Sequence, residues 1–67
     1  MRPTFKQDIA LQYFPNVSSH SAINRLSGWI KGCPQLLEAL HKTGYRSTQK
    51  LLTGPQVSLI YEYLGEP

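Results

Sequence analysis

The chain has one cysteine, Cys33. No disulfide can close within it, and nothing implies an oxidising compartment. No apolar run approaches the roughly 20 residues that a membrane-spanning helix needs. No basic, apolar, small-residue opening marks a secretory signal, so a cytoplasmic location is the expectation. The glycines are isolated, which excludes a glycine-rich phosphate loop and a strained nucleophile elbow around Ser18, Ser19 and Ser21. The only usual soft ligands, His20, His41 and Cys33, do not come in the close pairs of a zinc site. Cys33 stands at a helix start, where a thiol can be activated if exposed, but a small half-buried cap residue before Pro34 is the plainer reading. With 67 residues the chain can hardly enclose a substrate. The expectation is no enzyme, no catalytic residue, no metal or other cofactor, and no small-molecule ligand.

Acidic residues are also few. Asp8, Glu38, Glu62 and Glu66 oppose Arg2, Lys6, Arg25, Lys31, Lys42, Arg46 and Lys50, for a net charge of +3. That is a mild bias toward polyanions, without a dense basic arm. The length implies one domain over residues 1–67, and a domain of this size buries only about 60% of the surface its unfolded chain exposes. A second copy or a partner would add stability.

Hydrophobic spacing predicts an all-α fold, a compact bundle of four helices. Thr4 and Gln7 have the form of a capping box, opening a first helix from Phe5 to Tyr13 or Phe14 with Phe5, Ile9 and Tyr13 inward. Pro15 and Asn16 end it. A second helix starts at Ser18 or Ser19 and runs to Lys31, before Gly32. Its Ala22, Ile23, Leu26, Trp29 and Ile30 fall within about 120°, the width of a core-facing stripe. Pro34 opens a third helix carrying Leu36, Leu37 and Leu40 inward, ending at Thr43 before a left-handed Gly44. Residues 45–52 form an ordered connector with one short extended piece, tied to the core by two leucines. Thr53 and Gln56 form a second capping box with Pro55 in the first turn. The helix they open runs through Leu64 with Val57, Ile60, Tyr61 and Leu64 as its stripe.

The second helix carries the functional interest. His20, Asn24, Ser27 and Lys31 form one polar column opposite the stripe, with Arg25 beside it. Asn24 and His20 can bond base edges, while Arg25 and Lys31, joined by Arg46 and Lys50, can reach phosphates. With the first helix packed across it, the pair has a helix-turn-helix-like form, and one expectation is that the second helix reads DNA. The connection is longer than the tight turn of the standard motif. The alternative is a protein-interaction module or homodimer in which the last helix presents Leu59 and Tyr63, which lie off its stripe.

The segments "YFPNVSSHSA", "RLSGWI", "TGYRS" and "LTGPQVSLIYEYLGEP" together resemble a family of short bacterial proteins, a domain of unknown function common in gut anaerobes of the Bacteroides type. The resemblance covers nearly the whole chain, and "YFPN" and "YLGEP" are its most specific parts. Family members commonly carry Thr-Pro where this chain has Ser18-Ser19, which implies that Ser18 is the cap. They also tend to have a longer, more strand-like start than Met1 to Thr4, which leaves a small strand pairing there open. The resemblance implies fold and cellular class, and no catalytic residues.

Overall fold

Thr4–Phe5 forms a two-residue strand, β1, in the computed structural model, which describes residues 2–67. Helix α1 follows at Lys6–Tyr13, α2 at Ser19–Lys31 and α3 at Pro34–His41; strand β2 is Leu51–Leu52 and α4 is Gly54–Leu64. The protein is 61% helical, a compact globule with four helices among the described residues. The all-α expectation holds but for one small antiparallel ribbon, in which Thr4 pairs with Leu52 and Phe5 with Leu51.

That ribbon corrects the reading of the first helix. Thr4 caps nothing: its hydroxyl donates to the Arg2 carbonyl at 3.2 Å, and Phe5 occupies the N-cap position without a side-chain cap bond. The partner that pulls Thr4 into extended backbone, Leu52, lies far along the chain, so local spacing could not reveal it. Directly paired residues point to the same face of a ribbon. Thr4 and Leu52 therefore turn inward, where Leu52 is fully buried, while Phe5 is 57% exposed beside Leu51 rather than in the core.

The second helix forms as its pattern dictates. The Ser18 hydroxyl accepts a bond from the Ser21 amide at 3.2 Å, and Ala22, Leu26 and Ile30 are buried. Ile23 is half-buried, and Trp29, expected inside, is 46% exposed. Trp29 instead packs edge-on against Phe14 and Tyr13, with ring centroids at 4.6 and 5.8 Å. Tyr13 continues the cluster to Tyr61 of α4, whose hydroxyl donates to Gln12 Oε1 at 2.6 Å. The Tyr13 hydroxyl donates to the Gly65 carbonyl, so the C-terminal ends of α1 and α4 are tied together.

Helix α3 stops at His41, two residues before the expected Thr43, and Gly44 takes the left-handed conformation at φ +85°. Leu36 and Leu40 are buried and Leu37 partly so. Cys33 is its half-buried N-cap, without a cap bond. Helix α4 carries a complete capping box between Thr53 and Gln56. Gln56 is nevertheless only 1% exposed, because its amide also bonds beyond the cap. Its Nε2 donates to Thr43 Oγ1 at 3.0 Å, and its Oε1 accepts from Gln49 Nε2 at 2.6 Å. Gln49 in turn donates to the Leu51 carbonyl at 2.8 Å and accepts from the Arg46 amide at 3.3 Å. The connector between α3 and β2 is thereby held by one buried glutamine.

Candidate nucleic-acid interface

At 100° per residue, His20, Asn24, Ser27 and Lys31 fall within about 60° of one another on α2. His20, Asn24 and Lys31 are exposed and Ser27 is half-buried, so neither α4 nor any acidic side chain covers the column. The Asn24 amide nitrogen lies 3.3 Å from His20 Nε2, and this contact orders the two side chains best suited to base edges.

The connector lies alongside the Ile23, Ser27 and Lys31 edge of α2. Two clefts open along this seam. One, of about 670 Å³, is lined by Phe5, Lys6, Asp8, Ile23 and residues 47–50; the other, of about 200 Å³, by Ser27, Lys31, His41, Tyr45 and Ser47 with Ile30 and Leu37 behind them. Ser47 belongs to both walls. Lys50 is thus brought to the same seam as Lys31, while Arg46 is exposed on the connector. Arg25 is not brought there: it stands about 120° around α2 from Lys31, with its guanidinium 5.9 Å from the Phe14 ring. The expected cations therefore occupy both flanks of the column rather than one patch.

Lys6 is the residue that the sequence concealed. Counted there among the dispersed charges, it is only 2% exposed. Its ammonium donates to the Tyr45 hydroxyl at 2.8 Å and to the Ser47 carbonyl at 3.1 Å, and its backbone amide donates to the Lys50 carbonyl at 2.7 Å. One lysine fixes the connector against the start of α1 at three points. Tyr45 is buried with it. The aliphatic stem of a lysine can line a core while its head group reaches polar partners, and nothing local in the sequence signals that use.

Burial pushes the Lys6 ammonium below its ordinary pKa of 10.5, and the positive charge of Lys31 adds to the effect. Burial raises Tyr45 above 10.0; burial, then Tyr61 and Glu66, raise Tyr13 as well. Between the lowered Lys6 pKa and 10.5 the unfolded chain binds more protons than the native one, so stability rises with pH through that window. The tyrosines act oppositely: above 10.0 the unfolded chain loses their protons first, and stability falls. The urea midpoint is expected to climb on the alkaline side, peak and then drop, and Lys6→Met should remove the climb while leaving the drop. A wild-type midpoint that only falls from about pH 8 upward would contradict this linkage.

A sequence model described as Domain of unknown function (DUF4248) matches residues 1–67. The chain belongs to that family. Among curated proteins and among solved structures nothing matches it. No helix of this DUF4248 member, among its described residues, is long and apolar enough to cross a membrane. Of the α4 residues expected at an interaction surface, Tyr63 is exposed, but Leu59 is half-buried and packs against the core.

The distribution of charge along the chain adds a signal that net charge hides. Residues 9–37 contain Arg25 and Lys31 and no acid, and residues 39–61 contain Lys42, Arg46 and Lys50 and no acid. Glu62 and Glu66 are confined to the C-terminal end of α4 and just beyond it. The whole length of α2 and of the connector therefore presents positive charge only.

Proposed function

We propose that the protein binds nucleic acid along the exposed face of α2. Lys31 with Lys50 and Arg46 of the connector on one flank, and Arg25 on the other, contact phosphates, while His20, Asn24 and Ser27 meet base edges. The observation that carries this reading is an uncovered polar helix face within one acid-free, cation-bearing segment and bordered by another. Packing of α1 on α2 supports a helix-turn-helix-like use of the pair. In this reading the protein is an accessory DNA-binding component of the bacterial cytoplasm, without catalytic activity. Exposed Tyr63 favours a second reading, docking of another protein or a second copy on α4. The inward packing of Leu59 leaves that surface smaller than the α2 face.

Fluorescence anisotropy with a labelled duplex oligonucleotide at low salt tests the first reading. Micromolar protein should bind, Lys31→Gln with Lys50→Gln should weaken binding on the order of tenfold or more, and Asn24→Ala should act mainly on preferred sequences. No change in anisotropy with wild-type protein would remove the reading.

A further inference from the structure

Behind Tyr45, which lines the smaller cleft on the seam, stands an unusual group that itself lines only the larger cleft. Lys6 is a buried cation, and its polar partners are a hydroxyl and a carbonyl, neither of them charged. Burying a charge without an opposite one is costly. Because the Tyr45 hydroxyl accepts from Lys6, its own hydrogen is available to another acceptor. Tyr45 lines the cleft of about 200 Å³ together with Ser27, Lys31, His41 and Ser47. No carboxylate lines it; Asp8 borders the neighbouring cleft, and Glu38 stands one turn before His41 on α3. A water takes about 30 Å³ of liquid, so the space admits a tetrahedral oxyanion with part of its hydration shell.

We propose that this cleft is a phosphoryl-group site, in which Lys31, His41, Ser27 and the Tyr45 hydroxyl face the anion and Lys6 acts from behind through Tyr45. Lys6 is a positioning residue here. The site rests on the nucleic-acid reading only for the source of its phosphate, which would be one backbone phosphate of a strand lying along α2.

The test is a titration of isotope-labelled protein with inorganic phosphate, at constant ionic strength against chloride, followed by amide NMR. Saturable shifts are expected at Ser27, Lys31, His41, Tyr45 and Ser47. Lys31→Gln should weaken them by about fivefold or more, as should Tyr45→Phe, which keeps the ring in the core but removes the hydroxyl, both the donor to the anion and the acceptor of the Lys6 bond. Absence of saturable shifts in the wild type, or wild-type affinity in both variants, overturns the site. A duplex oligonucleotide that displaces phosphate confirms the site and names its source. Duplex binding without any phosphate effect overturns the site and leaves the nucleic-acid reading standing. Phosphate binding without duplex binding keeps the site and removes that reading.

Discussion

Leu26→Ala is expected to remove a large share of the protein's stability, about 2–5 kcal/mol. Leu26 is fully buried at the centre of α2, within the core that gathers Ile9 and Ala10 of α1, Leu36 and Leu40 of α3, Leu52 of β2 and Val57 and Ile60 of α4. Removing its isobutyl group loses the transfer free energy and leaves a cavity, about 2–5 kcal/mol together. Native domains hold roughly 0.05–0.15 kcal/mol per residue, so a chain this short has only some 3–10 kcal/mol to lose. With a urea slope of about 1 kcal/mol/M for so small a domain, the midpoint should fall by about 2 M or more. Ser27→Ala, one residue further on and half-buried at the seam, is the control and should shift the midpoint little. A Leu26→Ala midpoint within about 0.3 M of the wild type would mean that α2 does not face the core.

Gln56→Leu should destabilise the protein almost as much, although it makes the interior more apolar. The substitution deprives the Thr53 amide and the Gln49 amide nitrogen of their shared acceptor, and Thr43 Oγ1 of a donor. A fully buried polar group left without a partner costs about 1–3 kcal/mol, and these part-buried ones fall toward the low end. The Gln49 amide still reaches the Leu51 carbonyl and the Thr43 hydroxyl still donates to the Leu40 carbonyl at 2.6 Å, so a total of roughly 2–4 kcal/mol is expected. Urea unfolding measures the loss. Hydrogen exchange should also speed up in residues 46–51 beyond the global change, since Gln49 orders that segment. Exchange that rises uniformly would show that the glutamine is only a helix cap, and unaltered stability would show that none of these bonds holds the fold.

Helix α2 was legible because every signal for it is local: a serine whose hydroxyl meets the third amide on, a stripe at helical period and a glycine at the end. The α4 capping box was legible for the same reason. The structure departs from the sequence reading wherever a distant partner decides. Thr4 and Gln7 have the residue types of a cap, yet Leu52 claims Thr4 as a strand partner. Gln56 was readable as a cap but not as the link between Thr43 and Gln49. Trp29 had the right phase for the core, but it sits at the edge of the stripe, and the rings of Tyr13 and Phe14 cover it only in part.

The candidate site shows the same division. Helical periodicity gathered His20, Asn24, Ser27 and Lys31 correctly on one face and put Arg25 to one side. It could not show that the connector would lie along that face and bring Lys50 beside it. Nor could it show that Lys6 would be buried against Tyr45. The acid-free stretches were present in the sequence, and they would have sharpened a reading that rested on net charge.

The most direct measurement is the salt dependence of duplex affinity. Each phosphate contact contributes close to one unit to the slope of log affinity against log salt, so replacing Lys31 and Lys50 together by glutamine should flatten that slope by about 2. Affinity that does not change with salt, or a slope that the double substitution leaves unaltered, would contradict an interface built on these cations.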